Sequence, residues 1–184
     1  MNPSSNLFII GPTGAGKTSI GRRLAAHYGL SFVDLDHEIE QHCGVDVNTV
    51  FEIEGEAGFR ERESLLLDEI SQRAGVLLAT GAGAVLAPMN RTYLVERGYV
   101  IWLQTTIEQQ LERLERDHRR PLLAVPNRRE RLQAMASIRA PIYRELAELA
   151  IPGEHGSVAA ASERCIALID RHWQNSSASP RHTA

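Results

Sequence analysis

The sequence predicts an α/β fold, a parallel sheet with helices on both faces. Three observations carry this expectation. Short apolar runs alternate with amphipathic stretches along most of the chain, the pattern of repeated β-α-β units. A glycine-rich loop of the GxxxxGK[ST] type stands between the first apolar run and the first amphipathic stretch. Three of the motifs described below begin where an expected strand ends, and parallel sheets bind ligands at the carboxyl ends of their strands.

Taken in order, Leu7–Ile10 reads as a buried strand of four apolar residues stopped by Gly11 and Pro12. Lys17–Tyr28 reads as a helix with Ile20, Leu24 and Ala25 on one face and Gly29 just past its end. Phe32–Asp36 is a second short strand, Asp46–Glu54 a short helix, and Glu56–Arg73 a longer helix with Phe59, Leu66, Leu67 and Ile70 as core contacts. Val76–Ala79 and Val100–Leu103 supply the third and fourth strands. Thr106–Arg116 and Arg128–Ile138 read as helices, with Pro141 marking a break or kink. A fifth strand near Leu149–Ile151 is faint because Pro152 follows at once, and Val158–Trp173 closes the fold as a helix. One domain over 1–174 is expected, with residues 1–6 as a floppy lead and 175–184 as a disordered Ser-, Pro- and His-containing tail.

The 184 residues are 43% hydrophobic and 23% charged, enough to bury a full core. A net charge of −3 gives no reason to expect a nucleic-acid partner. Charge is unevenly spread: residues 34–69 hold twelve acids against Arg60 and Arg62, whereas 113–131 hold seven arginines against three acids. An arginine-rich surface segment in an acidic protein suits a local anion such as a nucleotide. The two cysteines, Cys43 and Cys165, form neither a disulfide framework nor a zinc spacing, and the histidines form no metal motif. No leader peptide or membrane span is evident, so a cytoplasmic setting is expected.

Gly11-Pro12-Thr13-Gly14-Ala15-Gly16-Lys17-Thr18 fits the phosphate-loop pattern in full, after a strand and opening a helix. In such a loop the backbone N–H groups of Gly14, Ala15, Gly16, Lys17, Thr18 and Ser19 turn toward phosphate oxygens. Lys17 would reach the β- and γ-phosphates of ATP, and the Thr18 hydroxyl would ligate Mg²⁺. Lys17 is the only lysine in the chain; the other nineteen basic residues counted with it are arginines. A bias toward arginine explains the nineteen but not the position of the exception. A compact ammonium fits between phosphate oxygens where a planar guanidinium does not.

Asp34 and Asp36 follow the second strand. In extended chain they would share a face, roughly 7 Å apart, one near Mg²⁺ and one near an acceptor hydroxyl. The alternative is a pair of acids at the N-terminus of a helix over His37–Gln41, favoured by its dipole. Arg60, four residues after Glu56, equally suits a surface ion pair, and Arg119-Arg120 suits a solvated charge run.

Asp34-x-Asp36, Gly55-Glu56-x-x-Phe59-Arg60-x-x-Glu63, Thr80-Gly81-Ala82-Gly83-Ala84, Arg120-Pro121-Leu122-Leu123 and Arg139-x-Pro141-x-Tyr143 occur in this order after the phosphate loop. Together these six pieces, spanning Leu7 to Ile151, resemble the shikimate kinase family. The resemblance implies a P-loop kinase with a five-stranded parallel sheet like that of nucleotide monophosphate kinases, a lid (about 114–127) and a small substrate lobe (about 35–62). It implies ATP and shikimate as partners, with Mg²⁺ placed by Thr18 and Asp34; a monomer is expected. It implies that Asp36 orients the attacking hydroxyl, that Arg60 and Arg139 grip the shikimate carboxylate, that Arg120 reaches ATP phosphates, and that Arg113 stacks on adenine. Gly81, Ala82 and Gly83 would line the acceptor site. Here the chain departs from the family's three consecutive glycines, and a methyl at position 82 is costly if that residue needs positive φ.

Two other readings stand beside this one. A gluconate-type kinase would lack the Phe59-Arg60 and Arg139-x-Pro141-x-Tyr143 set. A ligand-sensing domain of a transcription regulator would need a DNA-binding module, and ten residues before Gly11 are too few for one.

Overall fold

The structure, a computed structural model, describes residues 5–114 and 127–173. The lid segment expected over 114–127, Arg120 within it, and the expected tail 175–184 therefore fall outside the described residues, apart from Leu114 and Asn127.

Five parallel strands form one sheet in the order β2-β3-β1-β4-β5, with β1 Leu7–Ile10, β2 Ser31–Asp34, β3 Val76–Ala79, β4 Tyr99–Leu103 and β5 Leu149–Ile151. Successive side chains of a strand face opposite sides, and here both sides are covered. Leu7, Ile9, Leu77, Tyr99 and Ile101 pack with Leu24 of α1 (Lys17–Tyr28) and Ile169 of α7 (Val158–His172). Phe8, Ile10, Leu78, Val100 and Trp102 pack on the other side. Their partners include Leu67 of α3 (Val47–Ser71), Leu94 of α4 (Pro88–Arg97) and Tyr143 of α6 (Arg128–Leu146). Each fully buried Leu, Ile or Phe contributes about 1.5–3 kcal/mol, which is why the short strands need no alternation of polar residues.

The remaining elements are α2 (Leu35–Cys43), a 3₁₀ turn at Ala84–Leu86 and α5 (Ile107–Leu114). Among the described residues no helix is long and apolar enough to cross a membrane.

Four expectations need correction. Asn6 is no floppy lead: it is 4% exposed, and its amide donates to the Arg73 and Arg97 carbonyls (2.8 and 3.2 Å) while accepting from Val76 N–H (3.0 Å). That side chain joins the starts of β1, β3 and β4. The second strand ends at Asp34, not Asp36, because the Asp34 carboxylate caps α2 by accepting from His37 N–H. Helix α6 runs through Pro141 to Leu146 instead of stopping at Ile138. Helix α4 was not expected at all; its sequence offers a proline at its start and few buried apolar positions. The short and long helices expected on either side of Gly55 are the two arms of α3, which is interrupted at that residue (φ 68°, ψ −176°).

Candidate active site

One cleft of about 710 Å³ opens at the carboxyl ends of the strands. It is lined at one end by Gly14, Ala15, Gly16, Lys17, Thr18 and Ser19, and near its middle by Asp34 and Asp36. Arg60, Gly81, Ala82, Gly83 and Arg139 line its other end, and Arg113 faces it from α5. Every candidate residue named from the sequence within the described residues thus meets in this cleft.

The phosphate loop leaves β1 and turns into α1 at Gly16, with left-handed backbone at Gly14 (φ 77°) and Gly16 (φ 90°). No side chain caps the helix N-terminus, so its N–H groups and the positive end of its dipole face the cleft, as an anion site requires. The Lys17 ammonium lies against the loop, donating to the Gly11 and Pro12 carbonyls at 2.8 and 2.9 Å. Beside it the Thr18 hydroxyl donates to Asp34 Oδ2 at 2.6 Å. This ties the start of α1 to the end of β2, two strands apart in the sheet.

Asp36 lies in the first turn of α2. The extended-chain geometry expected for the acid pair is therefore incorrect, and the helix N-terminal arrangement is the one adopted. Both carboxylates nevertheless line the cleft, since a turn of helix following a strand end also projects residues toward the sheet's carboxyl edge.

The end of the cleft that holds Arg60 and Arg139 is built by close approach. Thr80 at the end of β3 donates from N–H and hydroxyl to the Ile9 carbonyl (3.1 and 3.2 Å), which sets the Gly81–Gly83 turn beside the phosphate loop. A Cβ on Gly81 would collide with Glu63 Oε1 and lie 2.9 Å from Asp36 Oδ1; one on Gly83 would collide with the Arg60 guanidinium. Glycine at these two positions lets the side chains of α2 and α3 lie directly on the backbone. No non-glycine residue among those described has positive φ, so Ala82 sits in ordinary backbone and the departure from three glycines costs no strain.

Arg60 and Arg139 both line this end of the cleft. Arg60 donates to Glu63 Oε2 at 2.6 Å and to Glu56 Oε1 at 3.3 Å. The surface pair with Glu56 therefore exists, but the shorter bond goes to Glu63, which is 1% exposed. Burial disfavours the Arg60 charge, yet the paired Glu63 and Glu56 carboxylates outweigh it and hold its pKa above the usual value. Burial pushes the Glu63 carboxyl up to about 7, with Arg60 drawing it back down and Asp36 raising it. Arg139 is 8% exposed, and burial lowers its pKa, with Tyr143 opposing and Arg60 assisting that shift. Two guanidinium groups held apart from water near one another are suited to a small carboxylate. Sequence reasoning left Glu63 as a motif letter; its spacing of three from Arg60, on one helical face, was the available signal.

On the other side of the phosphate loop, Arg113 donates to the Gly14 carbonyl at 2.9 Å and to the Glu154 carbonyl at 3.4 Å. It bridges that loop and the segment after β5. Gln109, 4% exposed, holds the same segment by donating to the Gly153 carbonyl at 3.2 Å.

Comparison with known proteins agrees with this geometry. The family model described as shikimate kinase matches residues 13–170. A shikimate kinase of Thioalkalivibrio sulfidiphilus is 50% identical over 95% of this chain and 90% of its own length. One from Actinobacillus pleuropneumoniae is 45% identical over 92% of this chain and 98% of its own. The solved structure of shikimate kinase from Acinetobacter baumannii in complex with shikimate superposes with a TM-score of 0.88 at 43% identity, covering 91% of this chain and 94% of that one. The fold, the assembled cleft and these matches together place the chain in the shikimate kinase family.

Proposed function

We propose that the protein transfers the γ-phosphoryl group of ATP to the 3-hydroxyl of shikimate, giving 3-phosphoshikimate and ADP. The observation that carries this reading is the meeting of a phosphate loop and the Arg60–Arg139 pair in one cleft, with Asp36 lining it as well. A relative 43% identical to this chain has been solved with shikimate bound, which supports the choice of acceptor.

In this reading the N–H groups from Gly14 to Ser19 and the Lys17 ammonium hold the phosphates. Arg113 lies along the base side of the nucleotide, and Arg120, outside the described residues, is the arginine that the resemblance assigns to the phosphates. Arg60 and Arg139 clamp the acceptor carboxylate, which fixes the ring so that its 3-hydroxyl points at the γ-phosphorus. The new O–P bond forms as the bond to the β–γ bridging oxygen breaks, and the hydroxyl proton passes to Asp36. Proton transfer is late in loose phosphoryl-transfer transition states, so Asp36 contributes mainly by orientation. Gly81, Ala82 and Gly83 form the wall against which the acceptor lies.

The Thr18 and Asp34 side chains suit Mg²⁺. Their oxygens are 2.6 Å apart, both are hard donors, and Mg²⁺ is bound through one or two protein oxygens plus substrate phosphates, not by an all-protein cage. Held there with ATP, Mg²⁺ would offset the negative charge of the phosphates.

The test is ADP release by the purified protein across shikimate, quinate, gluconate and nucleoside monophosphates, with and without Mg²⁺. Mg²⁺-dependent turnover with shikimate far above the others is expected. Turnover with gluconate or a nucleotide instead, or none with shikimate, overturns the reading.

A further inference from the structure

Tyr143 is buried, 2% exposed, and its hydroxyl donates to the Ala82 carbonyl at 2.5 Å across sixty-one positions of sequence. It lies four residues after Arg139 on α6, so one turn of helix carries both side chains on the same face. Its ring is held against Trp102 of β4, with centroids 5.8 Å apart. The donor is therefore fixed by the core and not by the turn that it bonds.

A peptide unit is planar and trans, so its C=O and the following N–H point in opposite directions. Pinning the Ala82 carbonyl into the core toward Tyr143 therefore turns the Gly83 N–H away from the core. Gly83 lines the cleft and lies against the Arg60 guanidinium. The turn's own backbone bonds, Ala84 N–H to the Gly81 carbonyl (3.2 Å) and Leu86 N–H to the Gly83 carbonyl (2.9 Å), leave this peptide's orientation unset. Both partners of the 82–83 peptide rotate about soft torsions, and glycine at 83 lowers the barrier to a flip.

We propose that Tyr143 is a positioning residue for the acceptor: its hydroxyl fixes the Ala82–Gly83 peptide so that the Gly83 N–H faces the carboxylate-bearing ligand beside Arg60. The proposal rests on the reading of this end of the cleft as the acceptor site. Ala82 works in the same direction, since a Cβ narrows the torsions available to the peptide that Tyr143 pins. The chain thus holds this peptide with a side-chain bond and a restricted residue where three glycines would leave it free.

The experiment compares wild type, Tyr143→Phe, Ala82→Gly and the double variant by steady-state kinetics in both substrates, with thermal melting alongside. Tyr143→Phe should raise KM for shikimate about tenfold, the factor that 1.4 kcal/mol of binding carries, and leave KM for ATP within about twofold. In the Ala82→Gly background the same change should raise KM for shikimate further than it does in the parent. An unchanged KM for shikimate overturns the proposal. So does an equal rise in both KM values, which marks general loosening, or an identical rise in the two backgrounds, which shows that the effect bypasses the peptide. If the wild type itself fails to phosphorylate shikimate, the acceptor reading falls instead, a result distinct from any of these.

Discussion

Arg60 Nη1 lies 2.6 Å from Glu63 Oε2, and the second oxygen of that carboxylate is buried without a hydrogen-bond partner among the described residues. The guanidinium proposed to take a ligand carboxylate is thus already held by an internal one. Arg60 Nε also has no hydrogen-bond partner among the described residues, so Glu63 orients the guanidinium without exhausting its donors.

This pair makes the stability of the fold depend on pH. Burial raises the Glu63 pKa from 4.5 to about 7. Between those values the unfolded chain has lost its proton while the folded chain keeps it, so the folded state binds more protons and stability falls as pH rises. Glu63→Gln removes that contribution. Its melting temperature relative to wild type should climb by roughly a few degrees from pH 5 to pH 8, read by differential scanning calorimetry. A difference independent of pH would show that Glu63 titrates normally.

Lys17→Ala should lower kcat by about a hundredfold or more, corresponding to about 3 kcal/mol of lost charge stabilisation. The ammonium donates to the Gly11 and Pro12 carbonyls of its own loop, and the melting temperature should stay within a few degrees. Single-turnover kinetics beside a thermal melt separate the two effects, and an unchanged kcat would remove Lys17 from the phosphate site.

Asp36→Asn should cut kcat by about a hundredfold while leaving KM for ATP near wild type, because a neutral amide with one donor NH2 in place of an accepting oxygen holds the acceptor hydroxyl in line less well. Loss of stability with kcat intact would make Asp36 a helix N-terminal acid and nothing more.

Arg139→Met should raise KM for shikimate by at least thirtyfold, from about 2 kcal/mol or more for a desolvated charge contact. With a shikimate analogue lacking the carboxylate, wild type and variant should bind alike in calorimetric titration. A penalty that persists with the analogue would place the carboxylate elsewhere.

Ala82→Gly alone should leave kcat/KM within about threefold, since the backbone there has no positive φ to relieve. A large loss in the coupled assay would mean that the methyl contacts the acceptor or that the Tyr143 bond alone does not hold the 82–83 peptide.

Much of this was legible in the sequence where the cause is local. The run Leu7–Ile10, the phosphate loop and α1 with its Gly29 cap follow from short-range pattern, and the structure keeps their bounds. Where tertiary contact decides, local reasoning failed. For Asp34 the sequence offered both the extended pair and the helix N-terminal arrangement, and only the structure selects the cap of α2. Helix α4 carries only Asn90 and Leu94 as fully buried residues, too weak a stripe to see. Yet Asn90 Nδ2 donates to the Ala84 carbonyl and Arg91 Nε to the Val85 carbonyl (2.9 and 2.7 Å), so that helix braces the acceptor turn. Pro141 sits inside α6 because packing of Leu132, Arg139, Tyr143 and Leu146 on one side offsets one missing backbone bond. The site's residue types were readable from their motifs, but the burial of Glu63 and the reach of Tyr143 to residue 82 depend on elements far apart in sequence.

The most direct test is a crystal structure of the protein with shikimate and ADP. The account predicts the shikimate carboxylate between Arg60 and Arg139, its 3-hydroxyl against Asp36, and the β-phosphate within the Gly14–Ser19 loop. A ring whose carboxylate lies away from both arginines, or whose 3-hydroxyl faces away from the nucleotide, would contradict it.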